Sequence, residues 1–258
     1  MELAKTIVLL LCLIGTAGGA LGGFCIPPPR SAARTPRLAT SVLTPTTPRP
    51  SLDWRARGAV TPVMFQGQIG SCWAISSVGA IEGLHKIQTG RLVRLSSQQI
   101  FDCSNKSMAD SDLKAFDWVV RNGGVASEET YPYVGRVQDC KREKLHMISA
   151  SIRRYKMDIR DELDLLVAVS YKPVSVRMWL DPPSFYNYTG GIFTGPCGKE
   201  AHGMLLVGYG ALADGREYWI LKNSYGVHWG DQGYFYVKRG AYHLPGLCAL
   251  AFLVAEPE

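Results

Sequence analysis

The chain of 258 residues is short of several things. It has no apolar stretch near the roughly 20 residues that cross a bilayer. Its one long apolar run, from Thr6 to Ile14, is too short for that. Lys5 precedes the run, and Gly15, Ala17, Gly18, Gly19 and Ala20 follow it. Residues 1–20 therefore read as a secretory signal peptide, and no membrane attachment is expected after its cleavage. Acid is missing from Cys25 to Pro50, where seven prolines and the four arginines Arg30, Arg34, Arg37 and Arg49 stand. No apolar period runs through residues 21–50, which read as a Pro/Arg-rich linker. These arginines carry most of the formal net charge of +6, so the rest of the chain offers no case for a nucleic-acid face. No Cys/His pair has zinc-ligand spacing, no cofactor motif stands out, and no segment repeats.

Residues 51–258 are long enough for one large domain or two lobes with real cores. After Cys72 the apolar residues Ile75, Val78, Ile81 and Leu84 recur at helical spacing, Glu82 and Lys86 stand as an i,i+4 pair, and Thr89-Gly90 supplies a stop. Gln66 to Gly70 reads as a turn, which puts Cys72 at a helix N-terminus. Further helices are expected over Leu113–Arg121 and around Arg160–Ser170. The second half changes character. Residues 173–179, 204–207, 218–221 and 234–237 are β-branched and aromatic runs divided by turns such as Asp214-Gly215. A helical first half and a stranded second half argue for an α+β fold with two lobes.

Seven cysteines occur, and signal cleavage would remove Cys12. In an oxidising compartment the remainder should mostly pair. The sequons at Asn105 and Asn187 would be glycosylation sites there.

A cysteine nucleophile works as the thiolate. A helix N-terminus favours that anion, an adjacent imidazole favours it further, and a third group must hold the imidazole. The developing oxyanion needs donors aimed at it. The chain carries Gly70-Ser71-Cys72-Trp73, then His202 in Ala201-His202-Gly203-Met204 and Asn223 in Lys222-Asn223-Ser224-Tyr225-Gly226. Gln66 lies six residues before Cys72. This set resembles the papain-type cysteine peptidases, whose Gly-[Ser/Ala]-Cys-[Trp/Tyr] core precedes His and Asn by about 130–150 residues. The stretches 53–55, 58–63, 95–103, 130–133 and 190–193 are similar to the same family, so the resemblance covers essentially all of residues 51–258.

The resemblance implies a helical lobe and a β-barrel-like lobe with the active site between them. It implies Cys72 as nucleophile, His202 as general base and later acid, Asn223 as the residue that orients His202, and Gln66 with the Cys72 N–H as the oxyanion hole. It pairs Cys103 with Cys140 and Cys197 with Cys248, leaves Cys72 free and gives Cys25 no partner. It implies protein or peptide substrates, protein inhibitors of cysteine peptidases as partners, a monomer, no cofactor, and a destination outside the cell or in a vacuole or lysosome.

The sequence also departs from that pattern. Ile69 stands where the family has a cysteine, and Ser107 stands near the place of its lost partner. Ala109-Asp110 replaces two substrate-facing glycines, so Asp110 would bring a side chain and a charge to the cleft. Arg177 falls on a strand that lines the S2 pocket, where a small apolar residue is usual, and Gly203 fits an S2-lining position. Tyr225 replaces a tryptophan that shields the His–Asn pair, and Ala201 replaces an acid or amide before the histidine. The resemblance also calls for a long helical inhibitory segment ahead of the domain, and residues 21–50 lack its length and pattern. The chain thus reads as a cysteine endopeptidase working through a thioester acyl-enzyme. The alternative is a weakened homologue that binds peptides or inhibitors without turnover.

Overall fold

Two glycines in one helix govern how closely the halves of this molecule approach each other. The computed structural model describes residues 50–104, 111–157, 159–240, 243–250 and 253–257. In chain order these form β1 (Leu52–Asp53), α1 (Cys72–Thr89), α2 (Ser97–Cys103), α3 (Ser111–Asn122), β2 (Tyr155–Lys156), α4 (Glu162–Tyr171), β3 (Val174–Leu180), α5 (Pro182–Tyr186), β4 (Ile192–Phe193), β5 (Glu200–Ala211), β6 (Glu217–Lys222), β7 (Tyr234–Lys238) and β8 (Leu253–Pro257). The strands join into one sheet in the order β2-β8-β3-β5-β6-β7-β4, with β1 added to β5. The expected division into a helical half and a stranded half is present, and the fold is α+β.

The periodic residues of α1 suggest a helix with one buried face. The structure instead buries every residue from Trp73 to Leu84. The cause is position: α1 packs on α2 and α3 on one side and on β3 and β5 on the other. Close approach to the sheet needs two missing methyl groups. A Cβ on Gly79 would lie 2.8 Å from Leu205 Cδ2, and one on Gly83 would lie 2.5 Å from Pro173 Cγ. The Ser175 hydroxyl on β3 also donates to the Ser76 hydroxyl on α1 at 2.8 Å.

Burial overturns the expected Glu82–Lys86 pair. Glu82 is 3 % exposed and accepts from the Thr61 hydroxyl at 2.6 Å and from the Leu95 N–H at 2.8 Å. The Lys222 ammonium donates to the same Thr61 hydroxyl at 3.0 Å, so an acid on α1 and a base at the end of β6 meet through one threonine. Lys86 turns away and donates to the Gly90 carbonyl at 2.6 Å. A carboxylate inside the protein needs buried partners, and Lys86, half-buried and directed to the helix C-terminus, does not serve. Burial pushes the Glu82 carboxyl up and pulls the Lys222 ammonium down to about 8.

The other expected elements stand close to their places. α3 and α4 include most of the two further helices, the four β-branched runs fall within β3, β5, β6 and β7, and Asp214-Gly215 turns β5 into β6. Two short helices, α2 and α5, were not anticipated. Ser96 caps α2 by accepting from the Gln99 N–H, and Asp181 caps α5 by accepting from the Ser184 N–H. The disulfides Cys103–Cys140 and Cys197–Cys248 both form, closing loops of 37 and 51 residues. Loops of that length stabilise by about 4 kcal/mol each in the chain-entropy model. Ile69, partly buried, packs against the hydrophobic core where the family would have a bridge. Asn105, Ser107, Ala109 and Asp110 lie outside the described residues, as do residues 1–49. Asn187 is exposed at the end of α5.

Candidate active site

A cleft of about 1010 Å³ collects five of the residues that the sequence singled out, while Asn223 stands behind His202 and outside its lining. Gln66, Cys72, Arg177, His202 and Gly203 all line it. The first wall is the turn before α1. Gly67 and Gly70 take positive φ of 69° and 65°, which only glycine adopts without strain, and this brings Cys72 to the first position of the helix. Ser71 is the N-cap residue, yet its side chain caps nothing. Its hydroxyl lies 2.6 Å from the Tyr133 hydroxyl. The Tyr133 hydroxyl donates to the Gln66 carbonyl at 2.6 Å, so in the Ser71–Tyr133 contact the serine is the donor. The first N–H groups of α1 are thus spared by their own cap. With no acid in that first turn, the helix end keeps its partial positive charge for an anion at Cys72.

Gln66 is held from the opposite side. Its N–H donates to the Ser224 carbonyl at 2.8 Å, and the Ser224 hydroxyl donates to its side-chain Oε1. With Oε1 engaged, the amide NH₂ is the end left to serve the cleft.

The second wall is the start of β5 and the end of β6. The ring of His202 lies with Nε2 2.7 Å from Asn223 Oδ1. The Ser224 N–H also meets that oxygen, at 2.8 Å. A backbone N–H can only donate, so the atom it meets is the amide oxygen, and His202 Nε2 must supply the proton in the other bond. A neutral imidazole protonated at Nε2 carries its lone pair on Nδ1. That is the tautomer a base needs when its far nitrogen is occupied. Asn223 is 1 % exposed, and its Nδ2 finds no partner among the described residues.

His202 is 7 % exposed. Phe185 and Tyr225 lie with ring centroids 5.2 Å and 4.9 Å from its own, and Trp229 stands edge-on to Phe185 at 4.9 Å. Tyr225 shares the enclosure of His202 with Phe185 and Trp229. Burial, and then the neighbouring Tyr186, push the Tyr225 phenol well above its ordinary range, so it stays neutral beside the histidine. The sequence reading missed Tyr133, Phe185 and Ser224 as parts of the site. Tyr133 and Ser224 sat in recognisable stretches, but nothing in their spacing foretold their contacts.

The family profile described as papain family cysteine protease matches residues 48–255. The chain belongs to the papain family. Cysteine endopeptidase RepA from Oryza sativa subsp. japonica is 43 % identical over 215 residues, which cover 81 % of this chain and 57 % of that protein. Vignain from Vigna mungo is 40 % identical over 213 residues, covering 80 % of this chain and 59 % of that one. The chain therefore spans under two thirds of the length of these curated relatives. Among solved structures, the bromelain protease from Ananas comosus in complex with the E64 inhibitor matches with a TM-score of 0.75 at 36 % identity. That match covers 81 % of this chain and 98 % of the bromelain chain. The papain-like architecture expected from the motifs is the one observed, with Cys72 on the helical side and His202 on the sheet.

Proposed function

We propose that this chain is a cysteine endopeptidase that hydrolyses peptide bonds through a thioester acyl-enzyme. The observation that carries the reading is the His202–Asn223–Ser224 arrangement, which leaves Nδ1 of His202 as the basic atom in the cleft that Cys72 lines. His202 takes the Cys72 proton, and the thiolate attacks the peptide carbonyl carbon. A C–S bond forms while the carbonyl π pair moves onto oxygen. The Gln66 amide and the Cys72 N–H receive that oxyanion. The imidazolium then gives its proton to the leaving amine as the C–N bond breaks. Water repeats the sequence: His202 takes its proton, the C–S bond breaks, and the acid departs. Asn223 positions the ring and touches no reacting atom.

Several further assignments belong to the same reading. Residues 1–20 are a signal peptide and residues 21–50 a linker, which directs the chain to the secretory pathway and then outside the cell or to a vacuole or lysosome. Two disulfides fit an oxidising compartment, and the exposed Asn187 fits a glycan acceptor. Protein inhibitors of cysteine peptidases would occupy the same cleft of a monomer.

The test uses E-64, an epoxide that alkylates active-site thiols, together with fluorogenic peptide substrates. The expected result is labelling at Cys72 and turnover by the wild type, with both lost in Cys72→Ser and turnover lost in His202→Ala. A wild-type chain neither labelled nor active sinks the proposal. Labelling without turnover supports a peptide-binding homologue instead.

A further inference from the structure

Two large aromatic residues that line the cleft are left open to water: Phe65 is 65 % exposed and Tyr186 is 53 % exposed. Tyr225, which lines the same cleft, connects them. It lies directly opposite Phe65 across an antiparallel bridge, and directly opposed residues present their side chains on one face. Its ring stands 5.9 Å from that of Tyr186. The three make a continuous aromatic strip along one stretch of the cleft. A single exposed ring is ordinary on a protein surface, whereas a row of them inside a cleft marks a surface that something covers.

The leaving half of a substrate is the half that meets this strip. The carbonyl oxygen goes to Gln66, the residue after Phe65 in the chain. The leaving amine takes its proton from His202, whose ring lies 4.9 Å from that of Tyr225. The Ser224 hydroxyl that holds Gln66 Oε1 belongs to the residue just before Tyr225. Tyr225 therefore adjoins both the group that receives the oxygen and the group that serves the amine. The acyl half starts from the Cys72 sulfur, while the chain beyond the amine starts beside His202 and runs onto Tyr225 and its two neighbours. An apolar side chain laid on the strip takes two wet hydrophobic surfaces out of water at once. A charged side chain in the same place would lose hydration without a partner.

We propose that Phe65, with Tyr225 and Tyr186, makes this cleft select peptides with a bulky apolar side chain, such as Leu or Phe, on the leaving side of the cut bond. Side chains of an extended peptide alternate in direction, so the selected position is the first or the second residue beyond that bond. The proposal rests on the peptidase reading of the cleft and assigns a feature of its substrates.

The experiment uses internally quenched peptides that are constant up to the cut bond. They carry Phe, Leu, Ala, Glu or Lys as the first or the second residue beyond it, and kcat/KM is read for the wild type. In parallel, Cys72→Ala is titrated with dye-labelled forms of the same peptides by fluorescence polarisation, which reads selection without turnover. At one of the two positions Phe or Leu should exceed Ala by roughly tenfold or more in both assays, the scale on which an apolar pocket separates side chains that differ by several carbons. Phe65→Ala should lose most of that advantage, and Phe65→Glu should favour Lys at the same position. Val227 is 53 % exposed nearby but does not line the cleft, and Val227→Ser should keep the wild-type preference. Labelling by E-64 and thermal unfolding show that each variant is folded. If Phe65→Ala does not fold, the wild-type scan and Phe65→Glu decide. An advantage of Phe and Leu below tenfold at both positions, a wild-type preference for Glu or Lys, or an apolar preference that survives in Phe65→Ala or vanishes in Val227→Ser overturns the proposal. Failure of E-64 labelling and turnover in the wild type, with apolar selection intact in the binding assay, overturns the peptidase reading and leaves the apolar selection standing.

Discussion

The two walls of the cleft are held by different forces. The wall that carries Cys72 is a glycine-containing turn fixed by directional bonds, from Tyr133 to Gln66, from Ser71 to Tyr133, and between Gln66 and Ser224. The wall that carries His202 is a strand end packed in aromatic rings, with one amide oxygen as its polar anchor. The contrast follows from what each wall must present. Donors aimed at an anion have to be kept unused, and a hydrogen-bonded frame does that by engaging every neighbouring group. An imidazole has to keep one tautomer and one orientation, and an apolar enclosure protects its bond to Asn223 from competition with water.

Breaking either wall at its reacting atom should have the largest effect. His202→Ala is expected to lower kcat/KM by about 10⁴-fold or more, as for other residues that act as a catalytic unit. Steady-state hydrolysis of a fluorogenic peptide measures it. Phe185, 2 % exposed, touches the rings of His202, Tyr225 and Trp229. Phe185→Ala should cost about 3–5 kcal/mol of stability in denaturant unfolding, because it opens a cavity in the packed wall. A loss under 1 kcal/mol would show that the rings do not hold this wall. On the polar wall, Gln66→Ala should reduce kcat by about 10²–10³-fold, the usual loss for one oxyanion donor, with little change in E-64 binding rate set by peptide contacts.

Smaller changes sharpen the contrast. Tyr133→Phe removes one hydroxyl and leaves the Ser71 hydroxyl and the Gln66 carbonyl short of a partner. About 1–2 kcal/mol should be lost, with a parallel fall in activity as the turn loosens. The same deletion at Tyr186, on the aromatic side, should alter activity less, and an equal loss there would erase the distinction. The least effect concerns pH. Burial pulls the Lys222 ammonium down to about 8 in the folded chain, from the ordinary lysine value of 10.5. Between those values the unfolded chain holds the extra proton, so this group makes stability rise with pH across that window. Thermal unfolding followed from pH 8 to about 10.5 should show a shallower slope in Lys222→Met than in the wild type.

The readable parts of the molecule were the local and repetitive ones. The start and stop of α1, the four β-branched runs, and the Cys72, His202 and Asn223 motifs all stand near the expected places. The disulfide pairs came from family resemblance and not from spacing. What escaped depended on distant partners. Glu82 looked paired with Lys86 because both sit on one helix face, but its buried partners come from Thr61, Leu95 and, through Thr61, Lys222. The helix α2 carries Gln98 and Gln99 in the interior, where they bond to Asp102, the Arg136 carbonyl and the Ala126 N–H, so no apolar period marks it. The five residues of α5 begin with two prolines and are too few to show a period at all. Tyr133 serves Gln66 and Ser71 across more than sixty residues, a link visible only once the chain has folded.

Gly79 and Gly83 bear on the reaction without coming near it. The spacing between a thiol on α1 and an imidazole on β5 depends on how deeply the helix settles against Leu205 and Pro173. The helix acts as a shim of set thickness. A single methyl group added at either glycine would thicken it and spread the jaws of the cleft, with every residue that meets the substrate unchanged. The tolerance of the catalytic gap is therefore set two and three turns along the helix from Cys72, by atoms that are missing from the sequence.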